Sequence, residues 1–231
     1  GDSIEEPSTA ATAGAEPAQE TAIVVPDAIT PKSLSDAAVN GDPAALFEIG
    51  ARYTEGRGVA VDLTEAAKWY QRAADAGVTP AQYRLASLYE KGTGVSRDLT
   101  KARTLYQQAA EKGNASAMHN LAVMLASGGG AAPDFAGAGK WFAMAADRGI
   151  RDSQFNLAIL YARGNGVSQD LEESYKWFSI AARDGDFRKV GTLSAGWPER
   201  SDVAAAFRKG SGLAEAVSIA INGLIESGAY G

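Results

Sequence analysis

The sequence predicts an all-α solenoid of stacked helical hairpins, and three observations carry that expectation. Residue types recur on a 36-residue step: Gly41, Gly77, Gly113, Gly149 and Gly185 close successive units, each behind an Ala pair running from Ala37–Ala38 to Ala181–Ala182. A Gly-x-Gly splits each unit in two, at Gly56/Gly58, Gly92/Gly94, Gly128/Gly130 and Gly164/Gly166. Apolar residues on both sides of that break keep helical spacing, as Ala81, Leu85, Ala86 and Tyr89 do before it and Ala102, Leu105, Tyr106 and Ala109 after it. Four units remain in register without an insertion or deletion.

Taken from the N-terminus, residues 1–30 are rich in Ala, Pro, Glu, Thr and Ser and read as a disordered acidic linker. Ile23-Val24-Val25 is its one apolar cluster, placed to pack on the first helix. Residues 32–40 carry the second half of a unit and are expected to cap the open end of a solenoid spanning 31–186. The units fall at about 41–77, 78–113, 114–149 and 150–185, with helix pairs expected at 43–55/63–76, 79–91/99–112, 115–127/135–148 and 151–163/171–184. Asp62, Asp98, Asp134 and Asp170 stand where second helices need N-caps, and Glu65 and Glu173 complete possible capping boxes. Bulky pairs fill the gap between units: Trp69–Tyr70, Leu105–Tyr106, Trp141–Phe142 and Trp177–Phe178. Burying each such side chain stabilises by about 1.5–3 kcal/mol, and one hairpin cannot bury both its faces alone. The third unit departs most, with Leu125 for Tyr and Gly128-Gly129-Gly130-Ala131 for Gly-x-Gly-Val, so its loop is expected to be looser or longer. Beyond Gly185 the period dissolves; Trp197-Pro198 ends any helix, and residues 213–226 form an amphipathic helix placed to cap the C-terminal end.

Composition excludes several function classes. The net charge of -6 sits in residues 1–31, which hold six acids and no base, while the remaining 200 residues balance 22 against 22. A neutral body without a basic face does not suit nucleic acid. With no cysteine and only His119, thiolate zinc sites, thiol nucleophiles and a Ser-His triad are out of reach. The absence of cysteine fits an oxidising compartment. No apolar run approaches the ~20 residues of a membrane span. The chain starts at Gly1 and reads as a processed or excised fragment.

The pattern A-x-x-x-L-A-x-x-Y-x-x-G-x-G-V-x-x-D-x-x-x-A-x-x-L-Y-x-x-A-A-x-x-G over 81–113 resembles the Sel1-like repeat, a 36-residue relative of the tetratricopeptide repeat; the likeness covers 41–185. It implies a right-handed α-solenoid. Within that family, the opening Leu34-Ser-Asp-Ala-Ala-Val-Asn-Gly-Asp-Pro-Ala-Ala-Leu-Phe-Glu-Ile-Gly and the run Asn114-Ala-Ser-Ala-Met-His-Asn-Leu-Ala-Val are similar to the periplasmic repeats of the PodJ family of alphaproteobacterial polar development factors. That similarity implies a periplasmic interaction scaffold in polar localisation, part of a membrane-anchored or exported protein, with a cytoplasmic location as the alternative. The family also carries a peptidoglycan-binding domain, whose motif is absent from 187–231. Residues 203–230 resemble the closing strand and helix of periplasmic solute-binding proteins, but the two lobes of a ligand cleft are missing and solute binding is not carried over. A regulator docking on a sensor kinase is the second reading. Some cysteine-rich Sel1 proteins act on β-lactams; this chain has neither Cys nor a supported Ser-x-x-Lys, and is expected not to be an enzyme and to need no cofactor.

In such solenoids the first helices line the concave face. One column of it reads Phe47, Tyr83, His119, Phe155; the next includes Arg84, Asn120 and Asn156, with Ser87 a turn on. These eight are the candidate contacts for a protein or peptide partner, cell-envelope components included. Regular aromatic stripes are more often packing, so Arg84 and the two Asn are the stronger candidates. His119 reads as a substitute for the Tyr at position 83 rather than as a ligand or base, and the Asp series as caps rather than acid–base pairs.

Overall fold

A computed structural model describes residues 23–183 of the 231. The described residues form nine helices: α1 Lys32–Val39, α2 Pro43–Glu55, α3 Leu63–Asp75, α4 Thr79–Lys91, α5 Leu99–Glu111, α6 Ala115–Ser127, α7 Phe135–Ala146, α8 Arg151–Arg163 and α9 Leu171–Arg183. The helices pair as the period requires, and the first helix of each hairpin has the expected limits. The second helices of units one to three stop a residue or two early, because the Gly N–H turns back to the Ala pair: Gly77 to Ala74 O, Gly113 to Ala110 O and Gly149 to Ala146 O, each at 2.9 Å.

The Asp series caps. Asp62 accepts from the N–H of Thr64 and Glu65 at 2.9 and 3.0 Å, Asp98 from Lys101 at 2.9 Å, and Asp134 from Gly137 at 2.8 Å. Asp170 accepts from Glu172 and Glu173 at 3.0 and 2.9 Å. Each such cap is worth about 1 kcal/mol. The capping boxes do not form. The Asp62 N–H bonds Tyr53 O at 3.0 Å and that of Asp170 bonds Tyr161 O at 2.9 Å, so the donor a box would satisfy already belongs to the preceding helix. Glu65 and Glu173 pair forward instead, with Lys68 at 2.6 Å and Lys176 at 2.9 Å.

Among the described residues, substantial contacts run only between helices consecutive in sequence, denser within a hairpin than between hairpins. Four apolar clusters tile the stack, with Trp69, Tyr70, Tyr106 and Phe142 among its largest buried side chains. Gly94 and Gly166 fit loop to neighbour: both have positive φ, and a Cβ there would collide with the backbone at Leu63 and Phe135 respectively, the second-helix start of the preceding unit. At Gly130 the nearest such atom is Leu99 Cβ at 3.7 Å, so the third loop stands off from its neighbour.

The linker expected over 1–30 ends earlier than the composition suggests. Ile29 is 2% exposed, Ile23 and Val25 pack on the first cluster, and Ser35 Oγ donates to Ile29 O at 2.7 Å. These few apolar side chains find the exposed flank of α2 and α1, a tertiary partner that a composition window does not see. The segment 187–231, with its expected helix 213–226, lies outside the described residues.

Candidate interaction surface on the first helices

The aromatic column closes the hairpins. Phe47, Tyr83, His119 and Phe155 are half-buried, and each meets the second member of the bulky pair in its own unit. The ring centroids lie 5.6 Å apart for Phe47–Tyr70, 5.8 Å for Tyr83–Tyr106, 5.8 Å for His119–Phe142 and 5.3 Å for Phe155–Phe178. Tilted and edge contacts of this kind add about 0.5–1.5 kcal/mol beyond area burial. The column is packing first, with one flank of each ring left at the surface.

The polar candidates separate. Asn120 Nδ2 donates to the Tyr106 hydroxyl at 3.0 Å, and that hydroxyl donates to Glu90 Oε2 at 2.7 Å. Burial, then the Glu90 carboxylate, holds the Tyr106 phenol well above its ordinary range; Asn120 and Ser87 pull the other way. Asn120 and Ser87 therefore serve an internal network. Asn156 is 4% exposed and cannot meet a partner, contrary to the sequence expectation, because α8 buries an uninterrupted arc from Asn156 to Leu160. Arg84 alone of the eight is exposed. Burial raises the Tyr70 hydroxyl's pKa, while the bond from Thr54 and the Arg84 charge lower it.

His119 bonds across the seam between the third and fourth units, Nδ1 to Ser153 Oγ at 2.8 Å. Burial pushes the imidazole pKa below its ordinary value, opposed by Asp152. At the N-terminal end Glu48 bridges Arg52 at 3.0 Å and Arg57 at 2.9 Å, and its pKa is lowered chiefly by the Arg57 bond. Among the described residues no three His, Cys, Asp or Glu gather to hold a metal, and no helix is long and apolar enough to cross a membrane.

Two polar columns escaped the sequence reading although the period displays them. Sixteen residues before each buried ring of the second helices stand Thr54, Glu90, Ala126 and Ala162, facing Tyr70, Tyr106, Phe142 and Phe178. A hydroxyl partner is present where the ring is Tyr and absent where it is Phe. Likewise Ser153, the partner of His119, occupies the position of Ala45, Ala81 and Ala117. Reading columns in pairs rather than singly is the signal that finds them.

The Sel1 repeat family model matches residues 43–78, 79–114, 115–150 and 151–186, so its units begin at the first-helix starts. Among solved structures the chain is similar to a Sel1 repeat protein from Oxalobacter formigenes, at 28% identity and TM-score 0.65 over 76% of this chain and 68% of that one. It is also similar to c5321, a protective antigen present in uropathogenic Escherichia coli strains displaying an SLR fold, at 35% identity and TM-score 0.65 over 78% of this chain. It spans 39% of the c5321 chain. No curated protein matches. Four consecutive family matches across the hairpins described above, in a solenoid of the same fold, mean that the chain belongs to the Sel1 repeat family.

Proposed function

We propose that this chain is a non-catalytic protein-interaction scaffold whose first-helix layer receives a protein or peptide partner, and that it acts in the periplasm in polar localisation of cell-envelope machinery. Sel1 repeats are in general protein-interaction modules, which supports the class. The compartment and the polar role rest on the likeness of 34–50 and 114–123 to polar development factors and on the lack of cysteine. The observation that carries the binding face is Arg84. Its neighbours in the column are occupied internally, whereas its guanidinium is exposed beside the half-buried Tyr83 ring. Arg and aromatic side chains are the residue types in which interface energy concentrates.

The test is a crosslinking pulldown from an envelope fraction, followed by direct affinity measurement on the protein recovered. Arg84→Glu is expected to weaken that affinity at least about tenfold, or ~1.4 kcal/mol, with an unchanged melting temperature. Lys140→Glu, exposed on the second-helix layer, is expected to bind as wild type. Loss of affinity in the Lys140 variant alone would move the working surface to the outer layer.

A further inference from the structure

The third unit differs from its neighbours at two positions that touch one space. Tyr53, Tyr89 and Tyr161 occupy one register position near the end of the first helix, and Leu125 is its counterpart. Three residues into the second helix the other units carry Glu65, Lys101 and Glu173, and the third carries Gly137. The two positions meet in the second unit and act on each other in the first. Lys101 Nζ lies 5.1 Å from the Tyr89 ring centre, and the Glu65 and Asp62 charges raise the Tyr53 pKa after burial does. In the third unit both the ring and the chain that covers it are cut back. A pocket of about 310 Å³ opens at that place, lined by Leu121, Met124, Leu125, Gly137 and Trp141, with Arg103 from α5 also on its wall. This is the lower end of the size range of ligand sites, about 300–1,000 Å³.

We propose that this pocket is a docking site for one aromatic side chain, Tyr in shape, carried on an acidic-flanked segment of a partner polypeptide. The ring is specified by the three sister units, which carry a phenol at the register position of Leu125. Met124 supplies an adaptable wall and Trp141 a flat one. The acidic flank is specified by charge. Arg103 is exposed and makes no ion pair among the described residues, while the Asp134 carboxylate on the same wall caps α7, accepting the Gly137 N–H at 2.8 Å, where the helix N-terminus partly offsets its charge. The proposal rests on the scaffold reading for its occupant being a polypeptide, but it uses a different surface from Arg84.

The experiment is a nuclear magnetic resonance titration of the 231-residue chain with p-cresol, the Tyr side-chain analogue, and with the capped peptides Asp-Tyr-Asp, Lys-Tyr-Lys and Asp-Ala-Asp. The expected result is cresol binding near ~1 mM that shifts the Gly137 amide and the Trp141 indole. Asp-Tyr-Asp is expected to bind about tenfold more tightly than cresol or Lys-Tyr-Lys, and Asp-Ala-Asp not to shift those signals. Leu125→Tyr restores the sister-unit ring, so it should abolish cresol binding and raise the melting temperature. Arg103→Glu should keep cresol binding and reverse the order of the two Tyr peptides. No cresol binding to wild type, cresol binding that survives Leu125→Tyr, or a Leu125→Tyr chain that no longer melts cooperatively would each overturn the pocket. Cresol binding without preference for Asp-Tyr-Asp would overturn the polypeptide occupant. Arg84→Glu is expected to leave every arm unchanged, so failure here is separable from failure of the first-helix surface.

Discussion

Ser153 and His119 form a matched pair of departures from the repeat: His replaces the aromatic of the first-helix column, and Ser replaces the Ala that faces it one unit on. The imidazole keeps the packing against Phe142 and gains a bond that a phenyl ring does not make. Its folded pKa is lowered by burial, so the unfolded chain takes up the proton first as pH falls. Stability is therefore full above the unfolded value of about 6.5 and declines as pH drops through it, until the lower folded value is passed. The double variant His119→Phe/Ser153→Ala restores the sister-unit pair. It is expected to melt within about 1 kcal/mol of wild type at pH 7.5 and to lose part of the acid-side decline. Thermal melts from pH 7.5 to 5.0 check this, and an unchanged decline would remove His119 from the account. At this scale the sequence was only half legible. The aromatic column was visible as packing, but Asn120, Ser87 and Asn156 looked free because a single column does not show the Tyr106 hydroxyl or the wide buried arc of α8. The exposure of Arg84 was legible because a lone guanidinium has no apolar role that would hide it.

Among the described residues, the helices of the four hairpins were read almost to the residue, since Gly, Asp and the Ala pairs recur at fixed offsets and each has a backbone reason to do so. The capping boxes failed for a tertiary reason: Tyr53 O and Tyr161 O take the donors first. The third hairpin loop was expected to be looser, and two contacts give that expectation a basis. Gly92 N–H bonds Leu88 O at 2.8 Å, one full turn back, while Gly128 N–H reaches Leu125 O at 3.3 Å, a tighter and weaker closure. Gly130 also stands off Leu99, where Gly94 presses on Leu63. Amide exchange at Gly128–Gly130 is expected to run about tenfold or more faster than at Gly92–Gly94. Equal protection, measured by magnetic resonance at neutral pH, would show that the neighbour contact does not govern the loop.

Across the described residues, order is built by succession. Each described helix has substantial contact only with the helices next to it in sequence, so this part of the stack has no closing contact to satisfy. Lengthening it should therefore be tolerated. A second copy of residues 79–114 inserted after residue 114 is expected to add helical signal in proportion and to raise the urea m-value by roughly a fifth, since m follows the surface exposed on unfolding. A non-cooperative or aggregated product would mean that long-range order contributes after all. The paired columns add a constraint on how such a chain diversifies. A crossover between hairpins that joins the helix carrying Ala126 to the helix carrying Tyr106 would bury a hydroxyl with no acceptor. The reciprocal product would set the Glu90 carboxylate against the Phe142 ring. Breakpoints at the unit seams keep these ring partners together and separate only pairs that cross a seam, such as Asn120 with Tyr106 and His119 with Ser153, so the complete hairpin is the module that a lineage can shuffle, gain or lose at least cost.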